Sequence, residues 1–204
     1  MDNWTKLPNK KIIEKTIVAL KSNGIEAYYF DTKEEARKKV FELIPKGAEI
    51  FTMTSMTLEA LGIPKEISES GNYDSVRKKL MSMDMKTQFR EMQKLGVAPD
   101  WTIGSVHALT EDGKVMAASN TGSQLPAYAY GAGNLILVIG AQKIVKNMNQ
   151  GFKRIYEHSL PLESERAKKA YDVPGSAVNK ILIVNKEVQP GRITIIIINE
   201  VLGF

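Results

Sequence analysis

The loop after one predicted hairpin is the part of this sequence richest in groups that bind anions. Residues Ser119 to Gln124 read SNTGSQ, which combines hydroxyls, amides and a glycine. Pro126 follows and suits the first position of a helix, where free backbone N–H groups bind phosphate, carboxylate or sulfate. Thr121 and Gln124 also have capping-box spacing, in which case the side chains would close the helix end instead. The residues expected to bind a ligand here are Asn120, Thr121, Gly122, Ser123 and Gln124.

The stretch before this loop predicts two strands around the turn Asp112-Gly113. A two-residue turn would place Leu109 opposite Met116, His107 opposite Ala118 and Ser105 opposite Asn120. Ser105, His107 and Asn120 would then share one face beside the loop, and a longer turn would shift this register. His107 could supply acid–base chemistry, although a histidine in a strand more often serves the fold.

Two further polar positions follow predicted strands, where open parallel sheets collect ligands. The turn Thr52 to Thr57 opens a helix, and its alternative role is ordinary capping by Thr54 or Ser55. Lys143 follows the continuous apolar run Leu135 to Ile139 and could anchor an anion. The expected ligand-binding residues here are Thr54, Ser55, Thr57, Ser105 and Lys143. The candidates for acid–base catalysis are His107, Lys143 and Glu59.

Composition excludes several kinds of chemistry. The 204 residues include no cysteine and 2 histidines, His107 and His158, so thiolate and metal sites are not expected. His158 is expected at a helix end, where it would interact with the helix dipole. Gly131-Ala132-Gly133 precedes a strand rather than following one, and neither a P-loop nor a G-x-S-x-G elbow is present. We therefore expect no metal and no cofactor.

The charge pattern does not point to nucleic acid or membrane. The formal net charge is +5, but the clusters Arg37-Lys38-Lys39 and Arg77-Lys78-Lys79 lie between apolar positions at helical spacing, as solvated helix faces do. No apolar run approaches a membrane span, and the first residues have no hydrophobic signal core. The expected location is the cytoplasm.

The elements that must hold these residues alternate between helix and strand. A helix ending at Asn23-Gly24 precedes a strand from Ile25 to Phe30, and a Thr32–Glu35 capping box opens the next helix. A strand from Glu49 to Met53 follows. This alternation predicts a three-layer α/β fold with a largely parallel sheet flanked by helices, plus a β-hairpin.

The remaining segments are predicted with less regular patterns. Residues 73–95 predict one bent helix or two, rich in methionine, which could form a cover or a homodimer interface. A helix is predicted from Ile144 to about His158, and a shorter one from Glu163 to Tyr171. Two last strands, Ile181 to Val184 and Arg192 to Asn199, flank a Pro190-Gly191 turn.

Six stretches in order resemble the LUD-domain family of lactate-utilization proteins. They are GSVHALTEDG, ASNTGSQLPAYAYGAGN, VIGAQKIV, RIYEHSLPLESERAKKAY, GSAVNKILI and PGRITIIIINEVLGF. The resemblance implies one LUD-type domain over residues 1–204. It also implies a fold like that of ribose-phosphate isomerase, glucosamine-phosphate deaminase and CoA transferases, in which loops at strand ends hold sugar phosphates or acyl-CoA.

The resemblance implies three functional hypotheses. In the first, the protein binds a small anionic metabolite as an accessory or substrate-handling subunit beside iron–sulfur partner subunits. The second is a stand-alone enzyme acting on a sugar phosphate or acyl-CoA, although no acidic nucleophile of the CoA-transferase kind is found. The third is a regulatory or binding module without turnover.

Overall fold

The computed structural model describes residues 3–204, which form two sheets and eight α-helices. The strands are β1 (Glu26–Phe30), β2 (Glu49–Thr52), β3 (Asp74–Ser75), β4 (Trp101–Gly104), β5 (Ala108–Thr110), β6 (Val115–Ser119), β7 (Asn134–Gly140), β8 (Ile144–Val145), β9 (Lys180–Val184) and β10 (Ile193–Ile198). The helices are α1 (Lys10–Ser22), α2 (Lys33–Leu43), α3 (Met56–Ala60), α4 (Ile63–Glu69), α5 (Val76–Ser82), α6 (Phe89–Val97), α7 (Met148–Arg154) and α8 (Leu160–Tyr171). Two π-helical turns span Ala127–Gly131 and Ile155–Ser159, and a 3₁₀ turn spans Ala141–Lys143.

A six-stranded parallel sheet forms the centre, in the order β1-β10-β7-β4-β2-β3. Strands β7 and β10 are apolar at almost every position because both faces of the sheet are covered. One face packs against α1 and the hairpin region, and the other against α2 and α4. The three-layer α/β prediction is therefore confirmed.

A second, four-stranded sheet has the order β8-β5-β6-β9, with β5 and β8 parallel and the other pairs antiparallel. Two neighbouring strands of the central sheet lead directly into it. The chain passes from β4 to β5 through residues 105–107, and from β7 to β8 through residues 141–143. Two adjacent segments of the chain therefore cross between the sheets, and they contain Ser105, His107 and Lys143.

The predicted hairpin forms, but its register was wrong by one residue. Ala108 pairs with Met116 and Leu109 with Val115, because the turn contains three residues, Glu111 to Gly113. Gly113 has φ +80°, which suits the left-handed position of a three-residue hairpin loop. Ser105, His107 and Asn120 consequently do not form the shared face that the two-residue turn predicted.

The predicted helix from Ile144 to His158 was also wrong at both ends. Residues 144–145 form β8, whereas helical structure continues from α7 through the π turn Ile155–Ser159 into α8. Pro161 lies near the start of α8, lacks an N–H and would crowd the carbonyl four residues earlier, so the wider turn before it accommodates the ring. His158 is thus inside a continuous helical stretch and not at a helix end.

Residues 73–95 form a short strand and two helices, α5 and α6, rather than one bent helix. Met81 and Met85 are exposed in this segment, together with Phe89. Within residues 3–204, no helix has the length and apolar character needed to cross a bilayer.

Candidate functional site

Lys143 lies at the centre of a buried polar cluster between the two sheets. Its side chain is 2% exposed, and Nζ donates hydrogen bonds to Thr57 Oγ1 and Ser105 Oγ, both at 3.1 Å. Thr57 Oγ1 in turn donates to the Leu202 carbonyl oxygen at 3.0 Å. Burial, followed by the charge of Arg154, holds the pKa of Lys143 well below its usual value.

Arg154 is the second buried basic residue of the cluster and is 0% exposed. Nη1 donates to the His107 carbonyl oxygen at 2.5 Å and to Ser159 Oγ at 3.1 Å. The π turn brings Ser159, five residues along the chain, alongside the arginine. Nε and Nη2 are buried and have no hydrogen-bond partner among the described residues. Burial lowers the pKa of Arg154 to about 10.

The Nε and Nη2 edge is the one that other arginines of this protein use for carboxylates. Arg166 donates from Nε and Nη2 to the two oxygens of Glu163, both at 2.7 Å. Arg192 approaches Glu187 Oε2 with the same two nitrogens, at 2.7 and 2.6 Å. In Arg154 this edge lies inside the protein with no carboxylate against it.

Within residues 3–204, no acidic side chain forms an ion pair with the cluster. Ion pairs among the described residues involve neither Lys143 nor Arg154. An unpaired buried cation costs several kcal/mol in a protein interior. Arg154, with a pKa of about 10, stays charged at pH 7 and leaves a strong local demand for negative charge.

Both histidines of the chain lie within range of these cations. His107 Nδ1 accepts a hydrogen bond from the Ala118 backbone N–H at 3.0 Å, so the neutral ring carries its proton on Nε2. Burial, then the charges of Lys143 and Arg154, lowers the pKa of His107 to about 3. Burial and the same two charges also lower the pKa of His158. His107 is therefore neutral at pH 7.

The structure brings three predicted ligand residues together, Thr57, Ser105 and Lys143, with His107 beside them. Two other predicted ligand residues, Thr54 and Ser55, follow the end of β2 and lie outside this cluster. Ser55 caps α3 by accepting from Leu58 N, and Thr54 accepts a hydrogen bond from Arg77.

Arg77 and Glu59 occupy the neighbouring region. Arg77 was expected to be solvated, but it is half-buried and donates from Nε and Nη2 to the Thr52 carbonyl oxygen at 2.9 and 2.6 Å. Burial lowers its pKa, while the charges of Tyr171 and Glu59 raise it. Glu59 is exposed on α3, where it contributes to this region and not to the Lys143 cluster.

The polar loop that follows β6 bonds mainly within itself. Ser119 Oγ donates to Gln124 Oε1 at 2.9 Å and accepts from Gly122 N at 2.8 Å, while Thr121 Oγ1 accepts from Ser123 N at 3.3 Å. Asn120 Oδ1 accepts from Asn179, at 2.7 Å. These bonds replace the predicted capping box, and the following π turn is only five residues long.

The loop reaches the cluster indirectly. Gln124 Nε2 donates to the carbonyl oxygen of Ala118, whose N–H binds His107. Farther along, the buried Tyr128 hydroxyl donates to the Ser105 carbonyl oxygen at 3.0 Å. The loop and the turn after it therefore hold the backbone around His107 and Ser105.

Sequence reasoning missed Arg154. It follows Lys153 on a helix with an apolar stripe, so it had the pattern of an ordinary solvated residue. The useful signal was Pro161 within a helical pattern, because a widened turn before a proline often marks a functional position. Among residues 3–204, no group of three or more His, Cys, Asp or Glu side chains gathers as a metal site.

The fold and the buried cation cluster define an α/β protein with a candidate anion site at a junction of two sheets. The LUD-domain family model matches residues 13–198, so the chain belongs to the LUD-domain family of lactate-utilization-type proteins. A search of curated proteins gives no significant match.

One solved structure shows the same fold at low sequence identity, and a second is more distantly similar. A DUF162-family protein from Deinococcus radiodurans is 10% identical, with a TM-score of 0.58, over 95% of this chain and 100% of that one. A D-ribose-5-phosphate isomerase in complex with phospho-erythronic acid is 11% identical, with a TM-score of 0.42, over 82% and 94% of the two chains.

Proposed function

We propose that this protein binds a small organic anion, and specifically a carboxylate, in the cluster formed by Arg154, Lys143, Ser105, Thr57 and His107. The observation that carries the proposal is the buried Nε and Nη2 edge of Arg154, which has no partner among the described residues. A carboxylate fits this edge because its two oxygens can accept both N–H groups in one plane. The same pairing occurs within this chain at Arg166 and Glu163.

The charge of the cluster supports an anion over a neutral ligand. A bound carboxylate would pair with a cation that the fold otherwise leaves uncompensated. The hydroxyl of Ser105 could bind a further oxygen of the ligand because it can donate as well as accept, whereas the Thr57 proton is held by the Leu202 carbonyl oxygen. The polar loop Asn120 to Gln124, and Thr54 with Ser55, remain predictions as more distant contributors to the site.

Binding by wild type and matched variants tests this proposal. Isothermal titration with L-lactate, pyruvate and inorganic phosphate should show a carboxylate binding to the wild type. Arg154→Gln should weaken that binding by about ten- to a hundredfold, since a hydrogen bond to a charged group contributes roughly 1.5–3 kcal/mol. Arg166→Gln, which removes a cation from the same helical stretch at a surface pair, should leave affinity unchanged.

A thermal-shift screen provides an independent readout. A carboxylate at a hundred times its dissociation constant should stabilise the wild type by about 2.7 kcal/mol. Equal carboxylate affinity in the wild type and a folded Arg154→Gln variant would contradict the proposed site. Preference for phosphate over every carboxylate would favour the alternative of a protein that handles sugar phosphates or acyl-CoA.

We further propose that the bound anion is a metabolite of lactate utilization and that the chain serves as an accessory to iron–sulfur partner subunits. Family membership supports this role, and the absence of cysteine means that the chain has no thiolate to hold a cluster itself. Co-purification with a cluster-bearing subunit, measured by iron content and visible absorbance, tests the association. A lack of association at micromolar concentrations would argue for a stand-alone protein.

A further inference from the structure

The hydrogen bonds of Lys143 distinguish between its two protonation states. An ammonium group has three N–H donors, and each needs an acceptor when the group is buried. Lys143 Nζ has two acceptors, Thr57 Oγ1 and Ser105 Oγ, and no third acceptor among the described residues. A neutral amine has two N–H groups and one lone pair, so these bonds satisfy it and leave the lone pair free.

We propose that Lys143 is a nucleophile that forms a Schiff base with a 2-oxo carboxylic acid whose carboxylate lies against the Nε and Nη2 edge of Arg154. This inference rests on the proposed carboxylate site and names its substrate class. A 2-oxo acid suits the cluster because its carbonyl carbon is directly bonded to the carboxylate carbon. A carboxylate held by Arg154 would therefore carry an electrophilic carbon into the cluster that contains Lys143, the amine whose pKa the charge of Arg154 lowers.

The reaction requires no component beyond the amine and the acid. The Nζ lone pair attacks the carbonyl carbon, forming a C–N bond, and the carbonyl oxygen takes up a proton to give a carbinolamine. Loss of that hydroxyl as water leaves the C=N bond. Both hydrogens of the original amine end in the water that departs. The Ser105 hydroxyl, already bonded to Nζ, is placed to pass these protons between nitrogen and oxygen.

The electrostatics of the site favour the nucleophilic form. Burial and the neighbouring charge of Arg154 both lower the pKa of Lys143, and these are the two ways in which proteins activate lysine amines. An exposed lysine at pH 6.5 is neutral in only about one molecule in ten thousand, given its usual pKa near 10.4. Lys143 should consequently react under conditions in which surface lysines do not.

Reductive trapping tests the inference on the full chain. The protein is incubated at pH 6.5 with pyruvate and sodium cyanoborohydride, which reduces an imine to a stable secondary amine, and peptide mapping by mass spectrometry locates the carboxyethyl adduct. We expect Lys143 to be modified at least tenfold faster than the exposed Lys146 three residues away. L-Lactate, which has the carboxylate but no carbonyl, should compete with pyruvate and form no adduct.

The outcomes separate this inference from the proposed function. Pyruvate that binds by calorimetry but leaves Lys143 unmodified would overturn the Schiff base and leave the carboxylate site standing. If neither pyruvate nor lactate binds and no adduct forms, both proposals fail. Lys143→Met should abolish the mapped adduct, whereas Lys146→Met should retain it. Mapping in the wild-type chain decides the question even if Lys143→Met does not fold.

Discussion

Acidification should destabilise this protein through His107. The folded-state pKa of His107 is lowered to about 3, below the value of 6.5 for a free histidine. Below pH 6.5 the unfolded chain therefore binds a proton at this ring while the folded chain does not, so stability falls as pH falls. At about 1.36 kcal/mol per pH unit, the loss through this ring is about 2 kcal/mol between pH 7 and pH 5 and roughly 5 kcal/mol once pH falls below 3.

Comparison of the wild type with His107→Asn isolates this contribution. The asparagine side-chain oxygen can accept from Ala118 N–H in place of Nδ1, and the side chain does not titrate. Urea unfolding at pH 7, 6 and 5 should show the wild type losing about 2 kcal/mol more than the variant over this range. His158→Asn is the control, since the pKa of His158 is lowered less than that of His107 and its contribution should be smaller. Equal pH dependence in the wild type and His107→Asn would refute a neutral, buried His107.

Three further predictions about the fold are tested by urea unfolding at pH 7. Thr32→Ala removes a complete capping box and should cost about 1 kcal/mol, whereas no change would mean that the cap contributes nothing. Glu187→Gln leaves Arg192 buried without its countercharge and should cost about 3 kcal/mol. An unchanged free energy of unfolding would mean that the hydrogen bonds from Arg192 to carbonyl oxygens are enough to stabilise it. Gly24→Ala should destabilise the protein more than Gly47→Ala. Both glycines have positive φ, but only at Gly24 would a Cβ lie 2.1 Å from a backbone oxygen. Equal losses of unfolding free energy in the two variants would exclude the clash.

Local sequence signals predicted the regular elements well where local chemistry determines them. The Thr32 capping box is present, and the apolar run Leu135 to Ile139 lies in a central strand covered on both faces. Both outcomes depend on residues a few positions apart, so the sequence contains the relevant interactions. The order of alternating helices and strands then implied a parallel sheet, and the structure has one.

The position of the site depended on interactions that local patterns do not contain. Nothing in the stretch from Trp101 to Thr110 shows that it leaves one sheet at Gly104 and enters another at Ala108. That crossing places Ser105 against Lys143, 38 residues away. The hairpin register likewise depended on one additional turn residue, which moved every paired position and took Asn120 off the face predicted to hold Ser105 and His107.

The polar loop and the buried cluster differ in what their side chains leave unsatisfied. Loop residues looked more like a binding site in sequence because they are polar, yet the side chains of Ser119, Thr121 and Gln124 are hydrogen-bonded to their neighbours. Arg154 looked unremarkable in sequence because its helix has an ordinary amphipathic pattern, yet two of its three guanidinium nitrogens have no partner within residues 3–204. Polarity along the chain therefore indicated a loop with structural bonds, and only the three-dimensional contacts identified the cationic cluster.

The free-energy cost of burying the charge of Arg154 and the affinity of the protein for an anion are linked. An arginine that only held α7 against β5 would need just the Nη1 hydrogen bonds to His107 and Ser159. The fold could then expose the Nε and Nη2 edge to water or pair that edge with a carboxylate. Arg192 has such a partner in Glu187, whereas Arg154 has none among the described residues. A ligand that supplies the missing charge would recover the interaction that the free protein lacks, so the destabilisation of the unliganded cluster becomes binding energy. This coupling favours a carboxylate that enters the cluster over one that contacts only the surface loop, because only the former meets the unpaired edge of Arg154.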